Sequence, residues 1–390
     1  MRVLVGHNAY QNFGGEDAVA ASETRLLRER GHDVHEYNRS NAELNRLSLK
    51  DKTRYLWYLG WNEESYQQVR TLIRNVRPEV AHFHNIYFMM SPAVYHACRA
   101  EGVPVVQSLH NFRPLCANGL LFRNNHVCED CLSGSLMPAV LHRCSQNSPI
   151  ISAMVVRMLR SHRKMKTWHE KVNVYITATE FTRQKYAGSG FDADRIFVKP
   201  NFVEDPGDVP AQDRGYALYV GRLSDEKGVD VMIRAWKDLT DIPLKIAGDG
   251  PGRLYLSGYI QRHAIKHVTL LGHVDDEKYR ELMGGARYLV LPSICYENFP
   301  RIAVEALAYG LPVLASRLGS LEEVIHHDEN GMLFEPGKEE ALAAAAKTLY
   351  QSSDLPRMRT AARQKYADEY SPDRNYEQLL AIYERALHTA

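Results

Sequence analysis

Long apolar runs are absent from this chain. No stretch of about 18 apolar residues occurs among its 390 residues, so nothing is expected to span a bilayer. An excess of one charge is absent too. The 48 Lys and Arg against 47 Asp and Glu leave a net +1, which provides no global field for nucleic acid or another polyanion. The N-terminus, MRVLVGHNAY, lacks the basic, then apolar, then small-residue order of a secretory signal, and a cytoplasmic setting is expected. Cysteine is sparse, at 6 residues. Cys98 and Cys295 lie in apolar stretches and read as small buried residues. What is present is ordinary globular composition, with 45% apolar and 24% charged residues, which excludes disordered, collagen-like and coiled-coil classes. At roughly 100–200 residues per domain, this length implies two or three domains.

Short β-branched runs alternate with helical periodicity from the second residue onward. RVLVG is a buried parallel strand by pattern, a Gly14-Gly15 loop follows it, and EDAVAASETRLLRER is a helix stopped by Gly31. HDVHEY, PEVAHFHN, VPVVQSLHN, NVYITATE and RIFVKPN continue the strands. This α/β alternation predicts a parallel, doubly wound N-terminal domain over residues 1–200. Two stretches interrupt it: a polar, aromatic and mostly helical segment at 40–76, and a cysteine insert at 112–148. Residues 201–215, acidic and rich in Pro and Gly, read as a linker. The alternation restarts over 216–371 with YALYVG, IPLKIAGDG, HVTLLG, RYLVLP and LPVLAS, giving a second α/β domain. Residues 372–390 form a last helix, with Ser371 as its N-cap and Pro372 at its first position. Two such Rossmann-like domains are expected to face a central cleft, and open α/β sheets bind ligands at their strand ends.

Three constellations carry chemistry. In CYENFPRIAVEALAYGLPV, Glu297 and Glu305 are expected at a strand-to-helix turn and two turns into a helix that begins at Phe299. Residues i and i+8 lie near one helix face, so both carboxylates can address one elongated ligand. The helix start, beside Asn298 and Phe299, offers backbone N–H groups to an anion. The plainer alternative is two surface glutamates. In LYVGRLSDEKGVD, a strand ends at Gly221, and Arg222 and Lys227 stand at the start of the next helix, which suits a diphosphate. The alternative there is a solvated loop with Arg222 paired to Asp225 or Glu226. In IAGDGPG, a glycine-rich turn carries Asp249, but it is not G-x-G-x-x-G and a dinucleotide reading is weak.

In order and spacing these motifs resemble those of the family-4 glycosyltransferases of the GT-B fold, over nearly the whole chain. The Gly-Gly loop, the histidine of SLHN, the KPNFVE entry to the linker, the LGHV turn and the E-x7-E box followed by ALAYGLPV all take part. The resemblance implies a C-terminal domain that binds a nucleoside-diphosphate sugar, of UDP or GDP type, and an N-terminal domain that faces the acceptor. It implies that Arg222 and Lys227 hold the diphosphate, Glu297 the sugar hydroxyls and Glu305 the ribose. Gly14 and Gly15 would let the backbone approach the phosphates and sugar, and His110 would sit beside the transferring sugar. The turn through Gly272, His273 and Val274 would contact the base, with Gly221, Asp249, Asn298 and Phe299 on the same donor side. Transfer would retain anomeric configuration by same-face attack, without a catalytic metal. The one Asp-x-Asp, Asp192-Ala193-Asp194, reads as a turn. Many relatives have Gly where this chain has Pro300, which lacks an N–H for an anion.

Cys116, Cys128, Cys131 and Cys144 have the spacing C-x11-C-x2-C-x12-C in a loop with few aliphatic residues. Structural zinc is expected to staple it, since thiolates bind zinc tetrahedrally and C-x2-C supplies two ligands from one turn. Some members of the resembled family carry a similar insert. The alternative is four free thiols or redox-sensitive pairs. Residues 150–172 read as one amphipathic helix. Ile151, Met154, Met158, Met165, Trp168 and Val172 lie on one face, and Arg157, Arg160, Arg163, Lys164 and Lys171 lie away from it. A solvated crossover helix is the simpler reading, and peripheral contact with an anionic membrane the other. The expected acceptor is a glycan or lipid-linked saccharide in cell-surface polysaccharide synthesis. A nucleotide-sugar epimerase and a zinc-stapled nucleic-acid-binding protein are the rivals, and the net charge speaks against the second. The oligomeric state is not legible.

Overall fold

A computed structural model describes residues 1–11, 13–46, 48, 59–207 and 212–389. Much of the first interrupting segment, at 47 and 49–58, and residues 208–211 of the linker lie outside the described residues. The chain forms two compact units, one of residues 1–121, 129–200 and 375–390, the other of 122–128 and 201–374.

The first unit is built on a parallel sheet of β1 (Arg2–Ala9), β2 (Asp33–Ser40), β3 (Val80–Phe83), β4 (Val105–Leu109), β7 (Val174–Thr177) and β8 (Ile196–Val198). The spatial order is β2-β1-β3-β4-β7-β8. Inside the cysteine insert, β5 (Phe122–Arg123) and β6 (His126–Val127) form a small antiparallel pair. Apart from the polar edge strand β2, the main strands are largely buried because both faces of a parallel sheet are covered. On one face Val3, Val5, Val80, Val106, Val174 and Ile176 pack against Leu27 of the helix Gly15–Glu29 and against Leu379, Ile382, Tyr383 and Ala386 of the helix Pro372–His388. That last helix is capped by Ser371, whose Oγ accepts from the Arg374 N–H.

The second unit holds β9 (Tyr216–Val220), β10 (Leu244–Ala247), β11 (Val268–Gly272), β12 (Ala286–Leu291), β13 (Val313–Ser316) and β14 (Gly331–Phe334). All are parallel, in the order β11-β10-β9-β12-β13-β14. The two-residue period of a strand divides its side chains between two cores. Tyr288 and Val290 enter one core with Trp236 and Leu342, while Leu289 and Leu291 enter the other with Val304 and Leu307. The strand order reverses between β9 and β12, and the loops leaving their carboxyl ends splay apart into a crevice. In the first unit the same reversal lies between β1 and β3.

The long helix expected over 150–172 is two helices. Pro149–Lys164 is capped by Ser148, and Thr167–Glu170 follows a break at Lys166, which has φ +51°. Trp168 and Val172 therefore do not share a face with Met158. The buried side of the first helix is Ser152, Val155, Val156, Met158, Leu159 and His162, while Met165 is exposed. Asp192-Ala193-Asp194 is a turn, with Asp192 Oδ1 accepting from the Asp194 N–H at 3.1 Å.

Candidate active site

The crevice of the second unit brings Lys227 and Glu297 together. Lys227 ends a single 3-10 turn after β9, and Glu297 lies in the loop after β12. Lys227 Nζ donates to Glu297 Oε1 at 2.6 Å, and Ser293 Oγ donates to the same oxygen at 2.7 Å. Burial pulls the Lys227 ammonium toward neutrality, but the Glu297 carboxylate outweighs it and holds the pKa above the ordinary lysine value. The lysine is thus a fixed, permanent cation with N–H bonds to spare for an anion. The close approach of the two loops requires Gly228. It sits at φ +65°, and a Cβ there would lie 1.9 Å from the Pro292 carbonyl oxygen. At the neighbouring strand ends, Gly248 at φ +138° would place a Cβ 1.9 Å from the Gly221 oxygen.

Other expected donor-side residues have partners within the chain. Arg222 pairs with Glu226 and donates to Ser224 Oγ at 3.3 Å, with its own side chain 64% exposed. Asp249 accepts from the Gly250 N–H at 2.7 Å and from Arg253 at 2.8 Å, and these contacts hold its pKa below the usual aspartate value. His273 is exposed and Val274 half-buried beyond the turn at Gly272. The Asn298 carbonyl accepts from Ser320 Oγ, and the Phe299 ring meets Tyr370.

The geometry expected for the two glutamates needs correction. The helix is Arg301–Ala308, with Pro300 as its N-cap, so Glu297 lies outside it and the i, i+8 relation does not apply. Its start also offers fewer amides than expected, since the Arg301 and Ala303 N–H groups donate to Phe299 and Pro300 carbonyls at 2.8 Å each. Glu305 is held separately, accepting from Tyr279 Oη at 2.5 Å and Arg301 Nε at 2.8 Å. Sequence reasoning missed Ser293, Tyr279 and Arg301. Ser293 and Arg301 stand four residues before their respective glutamates, a spacing that offered a signal, whereas the Tyr279 contact crosses 26 residues.

In the first unit, Gly14 caps the helix Gly15–Glu29, and its N–H donates to Asp17 Oδ2 at 2.8 Å. Neither glycine has positive φ, and a Cβ on Gly15 would meet nothing within 4 Å. Chain packing does not require a glycine at 15, which leaves open space beside the backbone there. His110, after β4, lines a cavity with Glu16, His84, Asn85 and Asn111. Its Nε2 lies 2.9 Å from His84 Nδ1, and burial lowers its pKa to about 4. Behind these residues a polar cluster that sequence reasoning missed is buried. It comprises the Glu23–Lys199 ion pair, His82 between Tyr383 Oη at 2.9 Å and Ser108 Oγ at 2.8 Å, and the His7–Asp17 pair at 2.8 Å.

None of the four insert cysteines forms a disulfide, Cys116 Sγ donates to Asn118 Oδ1 at 3.0 Å, and Cys128 belongs to the second compact unit while the other three belong to the first. Among the described residues, the one set of three or more His, Cys, Asp or Glu with ligand atoms within 4.8 Å is Glu23, His82 and His84. There the Lys199 ammonium already neutralises the carboxylate.

Residues 13–205 match the family model described as Glycosyltransferase Family 4, and residues 204–366 that described as Glycosyl transferases group 1. Over 323 residues the chain is 26% identical to an uncharacterized glycosyltransferase of Methanocaldococcus jannaschii, covering 80% of this chain and 77% of that one. Sucrose-phosphate synthase from Thermosynechococcus elongatus has a similar structure, with a TM-score of 0.73 at 16% identity over 100% of both chains. The same holds for Anabaena HepE in complex with UDP, with a TM-score of 0.68 at 16% identity over 98% of this chain and 100% of that one. Two matched sequence models that jointly run from residue 13 to 366, on two doubly wound parallel sheets, identify this chain as a glycosyltransferase of the GT-B fold.

Proposed function

We propose that this enzyme is a retaining, metal-independent hexosyltransferase. It would move a sugar from a UDP or GDP sugar to a glycan or lipid-linked saccharide in the synthesis of a cell-surface polysaccharide. The observation that carries the reading is the Lys227–Glu297–Ser293 cluster at the switch point of the second sheet. Departure of the nucleoside diphosphate builds negative charge on its phosphates, and Lys227 is a preorganised cation for that charge, with Arg222 in support. Glu297 Oε1 is filled by Lys227 and Ser293, so Oε2 is the oxygen for the donor-sugar hydroxyls, while Glu305, aimed by Tyr279 and Arg301, takes the ribose. Gly221, Asp249, His273, Val274, Asn298 and Phe299 border the nucleotide. Gly14, Gly15 and His110 serve the phosphates and the sugar. In the step itself the bond from the anomeric carbon to phosphate breaks, the acceptor oxygen bonds to that carbon on the same face, and its proton passes to the departing phosphate. The UDP held by Anabaena HepE supports a uridine nucleotide as the first to try.

A thermal-shift screen of nucleotide sugars tests this reading. The cognate donor is expected to raise the melting midpoint and others to leave it unchanged, because a ligand stabilises the state it binds by mass action. With that donor, EDTA is expected to leave the initial rate unaltered. A rate lost in EDTA and restored by Mg²⁺ or Mn²⁺ would replace the metal-independent mechanism.

Among the described residues no helix is long and apolar enough to cross a membrane. A peripheral position at the inner face of the cell membrane is supported by the segment from Met137 to His169, which contains no Asp or Glu. It exposes Leu141 and Ile150, at 72% and 66%, together with Arg157, Arg160 and Lys164. Exposed apolar and basic side chains on one segment without acidic residues suit anionic lipid. The protein is expected to sediment with vesicles containing phosphatidylglycerol and not with pure phosphatidylcholine, and Arg157→Glu with Arg160→Glu to abolish it. Equal recovery on both vesicles would leave the basic face merely solvated.

A further inference from the structure

Glu23 lies on the helix Gly15–Glu29 and is 2% exposed, and Lys199, just after β8, is 1% exposed. Lys199 Nζ is bonded to Glu23 Oε1. The second carboxylate oxygen, Oε2, is buried with no hydrogen-bond partner, and so is His84 Nε2, which lies 3.8 Å from it. At that distance no hydrogen bond is formed, yet the charge still decides where a proton resides. Two lone pairs facing each other in a dry interior would repel, so His84 carries its proton on Nε2 and leaves Nδ1 as an acceptor. His84 Nδ1 meets His110 Nε2 at 2.9 Å. The two rings have centroids 5.2 Å apart and planes within 7°, the geometry of imidazoles joined edge to edge through one proton. Since Nδ1 of His84 accepts, Nε2 of His110 donates. Burial keeps both rings neutral at physiological pH. His82 takes no part in the chain, because its two nitrogens are engaged by Tyr383 and Ser108, and its ring packs on His84 at 4.4 Å between centroids.

We propose that Lys199, Glu23 and His84 are positioning residues that fix the tautomer of His110, so that it presents a bare Nδ1 as a hydrogen-bond acceptor. This rests on the reading that places His110 beside the transferring sugar, and it narrows that reading. A bare nitrogen takes a hydrogen bond from a hydroxyl and has none to give to a phosphate or a glycosidic oxygen, so the group it meets is a hydroxyl of the sugar.

The test is ¹⁵N spectroscopy of the histidine-labelled full chain, with His110 identified by the signals lost in His110→Gln. In the unaltered protein His110 is expected to show a protonated Nε2 and an unprotonated Nδ1. A predominant Nδ1–H form would overturn the proposal without any variant. In Glu23→Gln combined with Lys199→Met, the amide can offer an N–H to His84 Nε2. That reverses both rings, and the His110 tautomer ratio is expected to move at least tenfold toward Nδ1–H. A folded double variant with an unchanged ratio would also overturn it. Placement of His110 is tested separately, by adding UDP-glucose or GDP-mannose, whichever raises the melting midpoint. Signals that ignore a saturating donor would remove His110 from the sugar while leaving the tautomer chain intact.

Discussion

Lys227→Ala is expected to lower turnover with the cognate donor by a factor on the order of 10²–10³, the scale of losing one preorganised group aimed at developing charge. The fold should barely notice, because the Lys227 side chain is 31% exposed and Glu297 keeps its bond from Ser293. Arg222→Ala is expected to do much less, since its guanidinium is already committed to Glu226 and largely exposed. Glu297→Ala should resemble Lys227→Ala, and the double variant should be little worse than either single one, because each residue holds the other in place. Steady-state kinetics with matched melting curves decide it. Turnover within a fewfold of normal in Lys227→Ala would remove the phosphate role from this lysine.

Glu23→Leu is expected to destabilise the first unit by about 3–5 kcal/mol, because it strands the Lys199 ammonium in the interior. The comparison that isolates the cause is Glu23→Leu with Lys199→Met. Removing both charges leaves an apolar pair of similar volume, and most of the lost stability should return. Urea unfolding followed by a probe in the first unit measures this, since two units with separate cores need not melt together. A double variant as unstable as the single one would show that the loss is one of packing rather than of unpaired charge.

Much of the architecture was legible because fully covered parallel strands must be apolar runs. RVLVG, YALYV and RYLVL each became a central strand of its sheet. Local periodicity misled where a single backbone angle overrode it. The apolar spacing runs on through Met165 to Val172, but Lys166 turns into the left-handed region and the helix ends. Pro300 had the same effect on the glutamate box. The sequence spacing of Glu297 and Glu305 implied one helix face, whereas the proline starts the helix late and each carboxylate acquires its own partners. Glu23 and Lys199 are 176 residues apart, and no local pattern joins them. A partial signal existed, because Glu23 falls on the same helix face as the buried Val19, Leu26 and Leu27. A charge within an apolar stripe asks for a buried partner.

The helix Pro372–His388 has a bearing on the order in which the molecule is made. Its side chains Leu379, Ile382 and Tyr383 close the core of the first sheet, and Tyr383 holds His82. Residues 201–374, which fall in the other unit, stand between that helix and the sheet it covers. At about 5–20 residues per second, a ribosome needs roughly 10–35 seconds to cross that interval. Throughout it the first sheet has emerged with that apolar face covered only by the Leu27 helix, while the second unit becomes complete at Arg374 and is free to fold. The domain that begins first on the ribosome is therefore the one that finishes last, and its exposed valines are the surface on which a nascent-chain chaperone would act.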